Sequence, residues 1–294
     1  MDAVEAGGGV VVDPGEAEAL VWTSAGMDPP TTAAALQEVM GHHHHGIRWV
    51  QLPWAGVELY AEAGLLDHEH RWTCAKGVYG KPVAEHALAL TLACFRHLKA
   101  FSRAERWGDQ AGQTLFGRRV TIFGGGGIAQ ELLRLLSPFG CQVTVVRKRS
   151  DPLEGARILG WDRRNDALGE ADAVILALAL TEENTSFFAA PQFDTMASHA
   201  CLVNVARGRH VVTEDLVAAL THGEIGAAGL DVTDPEPLPG GHPLWTLDNC
   251  LITPHTANTE AMAIPALAAR IADNVRRFGA GEALEGLVDP DLGY

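Results

Sequence analysis

The chain has 294 residues, of which 47% are hydrophobic, and this length and composition suit two globular domains with packed cores. Its 22 basic and 37 acidic residues give a formal net charge of −15, which argues against nucleic acid or an anionic membrane as a partner. The five cysteines have no metal-finger spacing, no apolar run is long enough to span a membrane, and the N-terminus has no signal peptide. We therefore expect a cytoplasmic protein with reduced thiols.

The first part of the chain alternates short apolar strands with helices, as in a small α/β domain. Strands are predicted at Gly9 to Val12, Ala19 to Thr23, Ile47 to Leu52 and Arg71 to Cys74, and helices at Thr32 to Met40 and Val57 to Ala63. Asp2 to Ala6 resembles the end of a helix that no strand precedes. The sequence leaves open whether a first strand of this domain is missing.

Four consecutive histidines, His42 to His45, are predicted in a loop before the strand at Ile47. Adjacent residues on a loop make poor convergent ligands, and no acidic or cysteine partner is spaced to help them. A solvated loop is therefore the simpler interpretation, with an adventitious nickel or zinc ion as the alternative. We predict no metal site in this protein.

A helix is predicted at Pro82 to Arg96, and it is apolar on nearly every face. Such a helix should be buried all round, either between domains or in a subunit interface, so we expect a twofold homodimer through its domain. His86 in this helix is expected to be a core histidine with a hydrogen-bond partner rather than a catalyst.

The stretch from Val120 to Ser150 has the pattern of strand, glycine turn, helix and strand. The residues from Val120 to Phe123 and from Gln142 to Val146 are β-branched or aromatic runs typical of buried parallel strands. Between them, Ile128 to Leu136 supplies the apolar stripe of a helix. This is half of a dinucleotide-binding fold.

Its glycine turn has the pattern GxGxxA. Gly124 can form a tight turn, Gly126 leaves room for a phosphate, and Ala129 is small enough for the helix to pack on the strand. A glycine cluster alone is more often an ordinary loop, but the flanking strand and helix favour a nucleotide site. We predict that Gly124, Gly126, Gly127 and Ile128 bind the pyrophosphate through N–H groups at the start of the helix.

A basic loop follows the second strand of this unit. Arg147 occupies the position where an NAD enzyme places its ribose-binding carboxylate. A guanidinium cannot accept ribose hydroxyl protons, whereas Arg147, Lys148, Arg149 and Ser150 can all donate hydrogen bonds to a phosphate. NADP is therefore the predicted cofactor, with NAD as the weaker alternative. A solvated loop that contacts no cofactor is the competing interpretation.

Further strands and helices continue the alternation up to the end of this region. Strands are predicted at Ala173 to Leu180, Cys201 to Val205, Gly226 to Val232 and Cys250 to Thr253, with helices at Phe187 to Met196 and Glu214 to Gly223. The fold class is therefore α/β, with a doubly wound parallel sheet. Ligands of such sheets bind beyond the carboxyl ends of the strands.

Four charged or titratable side chains follow strands at that edge. They are Arg207, Asp231, Glu236 and His255. Each alone is more simply a surface ion pair, but an arginine, a carboxylate and a histidine together form a chemically complete set for acid–base work on an anionic substrate.

Several motifs in the chain resemble those of the D-isomer-specific 2-hydroxyacid dehydrogenase family, in particular its glyoxylate and hydroxypyruvate reductases. In chain order they are KGVY at 76–79, PVAEH at 82–86, the GxGxxA turn, NVARG at 204–208, DVTDPEPL at 231–238, HPLWTLDN at 242–249, TPHTAN at 253–258 and VDPDLGY at 288–294. The resemblance covers nearly everything after about residue 47. It implies a Rossmann dinucleotide-binding domain at residues 81–257, inserted into a smaller flavodoxin-like substrate domain made of residues 1–80 and 258–294.

The resemblance also implies a role for each site residue. Arg207 matches the arginine that binds the substrate carboxylate and polarises the keto oxygen, Glu236 matches the carboxylate that orients the catalytic histidine, and His255 matches the general acid and base. Asp231 matches a position near the nicotinamide carboxamide. The backbone around Trp54, Ala55 and Gly56 matches the loop whose amides hold the substrate carboxylate.

Two residues depart from the family pattern. Ala179 stands where the family usually has a proline, which is expected to loosen contacts near the nicotinamide ribose, and Arg147 replaces an acid, which puts NAD use in doubt. The expected activity is hydride transfer between NADP(H) or NAD(H) and a small anionic 2-oxo acid or D-2-hydroxy acid. The alternative is a non-catalytic dinucleotide-sensing protein of the same fold, like some corepressors that resemble this family. A formate dehydrogenase-like activity is disfavoured because Thr253 and Pro254 precede His255.

Overall fold

The computed structural model describes residues 2–23, 29–43 and 46–293, without the side chains of residues 29, 30 and 43. Its α-helices are α1 (Asp2–Ala6), α2 (Pro29–His43), α3 (Glu58–Glu62), α4 (Gly80–Phe95), α5 (Leu98–Ser102), α6 (Gly127–Leu136), α7 (Ala190–Thr195), α8 (Thr213–His222) and α9 (Glu260–Ala280). Its strands are β1 (Ala19–Val21), β2 (Trp49–Gln51), β3 (Arg71–Thr73), β4 (Arg119–Phe123), β5 (Gln142–Val146), β6 (Ala156–Leu159), β7 (Ala173–Leu176), β8 (Cys201–Asn204), β9 (Ala227–Leu230) and β10 (Cys250–Ile252).

The chain divides into two units. The smaller unit combines Met1–Tyr79 with Thr259–Tyr294, and the larger unit is Gly80–Asn258. The larger unit is thus inserted into the smaller one along the chain. Among the described residues, no helix is both long and apolar enough to cross a lipid bilayer.

The larger unit is built on a seven-stranded parallel sheet with the order β6-β5-β4-β7-β8-β9-β10. The order runs outward in both directions from β4, so the carboxyl end of β4 lies at the point where the strand order reverses. Strands β7, β8 and β9 are buried along their whole length, which explains why the sequence has continuous apolar runs there. The predicted doubly wound Rossmann sheet is confirmed.

Helix α4 lies against this sheet. It packs on α6 and on strands β8, β9 and β10, all within the larger unit. Gly80 at its start is so close to α6 that an added Cβ would lie 3.0 Å from the carbonyl carbon of Gly127. On a single chain Lys81, Glu85 and Ala89 are exposed on one side of the helix, so its burial on every face stays a prediction that depends on a subunit interface.

The smaller unit has a three-stranded parallel sheet, β1-β2-β3. Its core is formed by side chains such as Leu36, Val50 and Trp72. Helix α9 is tied to the sheet by buried Asn274, whose Nδ2 donates to Oε1 of Gln51 at 2.9 Å. The predicted α/β class of this unit is confirmed.

Three predicted elements of the chain differ from the structure. The residues from Gly9 to Val12 form no strand, and Val10 is 79% exposed, so its β-branched run has no sheet partner and no core to cover. The strand predicted at Ala173 to Leu180 ends at Leu176, because the chain leaves the sheet there to pass the glycine turn. The helix predicted at Phe187 to Met196 is reduced to α7, and β6 was not predicted.

The histidine run also differs from its prediction. His42 and His43 are the last residues of α2 and not part of a loop, since α2 continues three residues beyond its predicted end. His44 and His45 lie outside the described residues. Within the part of the chain that the structure describes, no group of three His, Cys, Asp or Glu side chains is arranged to hold a metal ion.

Candidate active site

The imidazole of His255 is paired with the carboxylate of Glu236. Nδ1 of His255 lies 2.6 Å from Oε1 of Glu236, and about half of each side chain is exposed, 52% and 42% respectively. His255 follows β10, and Glu236 follows β9, the neighbouring strand of the sheet. The carboxyl ends of adjacent parallel strands therefore bring these two residues together, as the sequence predicted from their positions.

This contact changes the acidity of both groups. The hydrogen bond to Glu236 raises the pKa of His255 above its ordinary value, against partial burial and the charge of Arg207, which both lower it. Partial burial works to raise the pKa of Glu236, but the hydrogen bond and charge of His255 hold that pKa below its usual range, with help from Arg207. The pair therefore favours a charged imidazolium next to a charged carboxylate.

The turn that carries His255 is fixed by Asp231, at the end of β9. Asp231 is 2% exposed, and its Oδ1 accepts hydrogen bonds from Oγ1 of Thr253 at 2.7 Å and from the N–H of Thr256 at 2.8 Å. Its Oδ2 accepts from the N–H of Ala257 at 3.0 Å. His255 has a φ of +50°, a left-handed conformation that a non-glycine residue keeps only where its surroundings hold it. Asp231 supplies that support.

His86 of α4 extends this network from the other side. Its Nε2 lies 2.9 Å from Oγ1 of Thr253 and 3.4 Å from Oδ1 of Asp231. Because the hydroxyl of Thr253 donates its one proton to Asp231, Nε2 of His86 must be the donor in its own contact. The ring is partly exposed, at 23%, and makes this hydrogen bond beside the turn of His255.

Arg207 lies directly after β8 and is held by two residues that sequence reasoning did not single out. The side chain of buried Asn204 donates to the carbonyl of Arg207 at 2.8 Å and accepts from the N–H of Ala206 at 3.0 Å. A Cβ on Gly208 would lie 1.9 Å from the carbonyl oxygen of Thr233, so only glycine lets this segment approach the loop of Glu236 so closely. The charge of Arg207 acts on the pKa of both His255 and Glu236, which places the three residues in one site.

The glycine turn joins β4 to α6 with the geometry that the sequence predicted. Gly124 has a φ of +105°, and a Cβ there would lie 2.2 Å from the carbonyl oxygen of Ala177. Gly126 precedes α6 directly, and within the described part of the chain no atom other than those of its chain neighbours lies within 4 Å of the position that its Cβ would take. Ala129 is fully buried against the sheet. The first N–H groups of α6, from Gly127 and Ile128, have no partner within the helix and suit an anion.

The basic loop begins beside this turn. The side chain of Arg147 lies against Gly125, whose Cβ would come within 2.4 Å of Cδ of Arg147. Among the described residues, Nε of Arg147 is buried without a hydrogen-bond partner, while Nη2 donates to the carbonyl of Asp151. Lys148, Arg149 and Ser150 are exposed. A buried, unpaired donor among further cationic and hydroxyl donors suits an anionic group.

The sequence also singled out residues 54–56 and Ala179. Trp54, Ala55 and Gly56 belong to the smaller unit, where Trp54 is 42% exposed and its carbonyl accepts from the N–H of Ala75 at 3.0 Å. Ala179 is exposed, and its carbonyl accepts from Nδ2 of Asn184 at 2.8 Å. A side-chain amide thus fixes the position where the family usually has a proline.

A doubly wound sheet with a glycine turn and an acid–base pair at its carboxyl edge defines a dinucleotide-dependent enzyme. The comparisons with known proteins agree. The family model of the NAD-binding domain of D-isomer specific 2-hydroxyacid dehydrogenases matches residues 88–257, more than half of the chain. The chain belongs to this family, as its motifs predicted.

Individual relatives extend the match into the smaller unit. The protein of the proB 3′ region of Corynebacterium melassecola is 39% identical over 257 residues, which cover 84% of each chain. The glyoxylate reductase of Pyrococcus furiosus is 34% identical over 223 residues, which cover 71% of this chain and 66% of the reductase. The match therefore spans slightly less than two thirds of that enzyme.

A solved structure also matches the whole chain. It is a D-isomer specific 2-hydroxyacid dehydrogenase from Xanthobacter autotrophicus in complex with NADPH and MES, with a TM-score of 0.84 and 29% identity, covering 100% of this chain and 94% of that one. This chain is therefore an oxidoreductase that uses a nicotinamide dinucleotide.

Proposed function

We propose that this protein reduces small 2-oxo acids to D-2-hydroxy acids with NADPH and catalyses the reverse oxidation. The observation that carries the proposal is the 2.6 Å contact between His255 and Glu236, with the charge of Arg207 close by. Such a set can move a proton and bind an anion at one place. The name of the P. furiosus reductase supports glyoxylate as a first substrate to test, and hydroxypyruvate is the second.

His255 acts as the general acid in the proposed reduction. Because Glu236 raises the pKa of the ring, the imidazolium persists to a higher pH and can give its Nε2 proton to the keto oxygen. Arg207 binds the substrate carboxylate and stabilises the negative charge that develops on that oxygen. A bound nicotinamide supplies the hydride to the carbonyl carbon. In the oxidation, neutral His255 accepts the proton of the alcohol.

NADPH is the proposed preferred cofactor, with NADH as the weaker one. Arg147 occupies the ribose position, its buried Nε has no partner among the described residues, and Lys148, Arg149 and Ser150 follow it in the same loop. These groups can donate to a 2′-phosphate but offer no acceptor for ribose hydroxyls, apart from the weak acceptor of the serine. The NADPH complex of the X. autotrophicus relative agrees with this preference.

The two units have separate proposed roles. The larger unit, which contains the glycine turn, is the dinucleotide-binding domain, and Asp231 lies near the nicotinamide carboxamide. The smaller unit is the substrate domain, in which the backbone of Trp54, Ala55 and Gly56 supplies N–H groups to the substrate carboxylate. These assignments rest on the motifs that the chain shares with its family.

We further infer a cytoplasmic homodimer that forms through the larger unit. Large apolar side chains after α4 are exposed on a single chain, namely Leu98, Phe101, Trp107 and Phe116. Trp107 is 97% exposed, and large apolar side chains that a single chain leaves in water support an interface. Light scattering at micromolar concentration should give the mass of two chains, and a stable monomer would contradict the inference.

A panel of 2-oxo acids with both cofactors tests the activity. Glyoxylate, hydroxypyruvate, pyruvate and longer 2-oxo acids are each mixed with NADPH or NADH, and the loss of nicotinamide absorbance is followed. We expect turnover of at least one of the small acids, with a D-configured product where the product is chiral. Tight NADPH binding by calorimetry without turnover of any acid would instead favour the dinucleotide-sensing alternative.

A further inference from the structure

An ion pair crosses the edge of the sheet above the glycine turn. Nζ of Lys148, in the loop after β5, contacts Oε2 of Glu183, in the loop after β7. Strand β4 lies between β5 and β7 in the sheet, and the glycine turn follows β4. The pair therefore joins the two loops that flank the turn. A dinucleotide whose pyrophosphate binds at this turn must place its adenosine end next to these two side chains.

Hydrogen bonds fix the backbone of the turn that carries Glu183. Glu183 is part of a single 3-10 turn, Glu182–Asn184. The side chain of Asn184, which is 7% exposed, accepts from the N–H of Thr181 at 2.8 Å and donates to the carbonyl of Ala179 at 2.8 Å. A turn with its own side-chain and backbone hydrogen bonds holds a charge near one place without needing the ion pair.

The base of the opposite loop is fixed as well. The N–H of Arg147 donates to the carbonyl of Leu159 on β6 at 3.0 Å, which continues the sheet to the first residue of the loop. Lys148 follows directly and is exposed, as is Glu183. Two charges held on fixed backbones at an exposed edge interact with each other and with any third charge that a ligand brings between them.

We propose that Glu183 is a specificity-determining residue that limits the preference for a dinucleotide with a 2′-phosphate. This inference rests on the proposed use of NADPH. A 2′-phosphate must compete with Glu183 for Lys148, and it then lies near the carboxylate that it displaced. NADH has no such phosphate and leaves the ion pair intact. Glu183 therefore weakens NADPH binding and leaves NADH binding nearly unchanged.

The test compares Glu183→Gln with the matched control Glu182→Gln. Both residues are exposed glutamates of the same turn, and both changes remove one negative charge while keeping the shape. An exposed ion pair is worth a few-fold in affinity, so Glu183→Gln should raise kcat/KM for NADPH about three- to fivefold and change the value for NADH less than about twofold. Glu182→Gln should leave the ratio of the two values close to that of the original protein.

A double variant tests whether the effect passes through Lys148. Lys148→Gln should lower kcat/KM for NADPH, and Glu183→Gln should then bring back little of it, because the ammonium that would bind the phosphate is absent. An equal gain in both backgrounds would overturn the role of the ion pair. Glu183→Gln could also raise the ratio of kcat/KM for NADPH to kcat/KM for NADH only by lowering the value for NADH. That result would overturn the proposal, since Glu183 would then bind the ribose.

The proposed preference for NADPH can be tested separately from the inference about Glu183. If the unchanged protein uses both cofactors equally and Arg147→Asp alters nothing, the NADPH preference itself is wrong. If the unchanged protein prefers NADPH and Arg147→Asp removes that preference, but Glu183→Gln behaves like Glu182→Gln, only the inference about Glu183 is wrong.

Discussion

The turn of His255 and the loop of Arg147 both follow strands of one sheet, but they are held in different ways. In the turn, the backbone N–H groups of Thr256 and Ala257 bind the buried carboxylate of Asp231. In the loop, Lys148 makes an exposed ion pair with Glu183. A buried carboxylate that accepts from two backbone N–H groups holds the turn in one conformation. An exposed ion pair is weaker, because water and salt screen its charges.

This difference matches what each region has to do. Proton transfer needs His255 within hydrogen-bond reach of one oxygen, and a displacement of about 1 Å can cost a hundredfold in rate. Discrimination between two cofactors needs only a modest difference in affinity, which exposed charges can supply. We therefore expect large effects from changes in the turn and smaller, salt-dependent effects from changes in the loop.

The largest effect is expected for His255→Ala. This change removes the group that moves the proton, and general acid catalysis is worth roughly 10²- to 10⁴-fold, so kcat should fall by that factor. The dissociation constant of NADPH should change little, because the turn and its anchor remain. Stopped-flow or steady-state rates measure the first value and calorimetry the second.

A matched control for this variant is His222→Ala, which removes an exposed ring from the last turn of α8. It should keep nearly full activity. A loss of less than about tenfold in His255→Ala would contradict the assignment of the general acid.

A somewhat smaller effect is expected for Asp231→Asn. The side chain keeps its size, but its new NH₂ group must face one of the donors that the carboxylate now accepts. The turn would shift, and kcat should fall about a hundredfold with a smaller change in the KM for NADPH. Asp248→Asn, at an exposed position, is the control. If only the KM for the cofactor rises, Asp231 acts on the nicotinamide and not on the turn.

The elements that the sequence predicted well are those with a local signal. The glycine turn, its two strands and α6 follow from spacing and β-branched runs within about thirty residues, and each agrees with the structure to within one residue. The place of His255 and Glu236 at one edge follows from their positions after two strands, because parallel strands end there, while their pairing was implied by the family resemblance. No long-range packing had to be known for these predictions.

The parts that could not be predicted depend on contacts between distant segments. Gly208 has to be glycine because the backbone of Thr233 lies against it, and Asn204 matters because it binds the turn of Arg207. Both residues belong to the NVARG motif, but the motif does not say which distant groups they contact. Alanines and leucines on α4 suit both a buried face and a covered subunit interface, so the sequence alone does not tell which side of this helix its own chain leaves exposed.

A change of about tenfold is expected for Arg147→Asp. The new carboxylate can accept ribose hydroxyls and repels a 2′-phosphate, so the preference for NADPH over NADH should be lost or reversed. One charged hydrogen bond is worth about 1.5–3 kcal/mol, which corresponds to tenfold or more. Arg106→Asp, an exposed position with the same change in charge, is the control. The measurement is the ratio of kcat/KM for NADPH to kcat/KM for NADH. An unchanged ratio would show that Arg147 contacts no cofactor phosphate.

The smallest of these effects is expected for Glu236→Gln. This residue belongs to the catalytic set, but its side chain is about as exposed as those of the basic loop. The amide keeps a hydrogen bond to Nδ1 of His255 and loses only the charge, which water already screens, so reduction at neutral pH should fall only about fivefold.

The pH profile of this variant is the sharper measurement. Glu236 raises the pKa of His255, so its loss lowers that pKa toward the ordinary histidine value. Reduction needs the protonated ring and should decline at a lower pH than in the original protein. Oxidation needs the neutral ring, so its acidic limb should also move to lower pH. Both limbs must move in the same direction, because one group titrates in both reactions. If neither limb moves, Glu236 orients the imidazole of His255 without changing its pKa. Charge would then contribute as little to catalysis at this exposed pair as it does at the turn of His255.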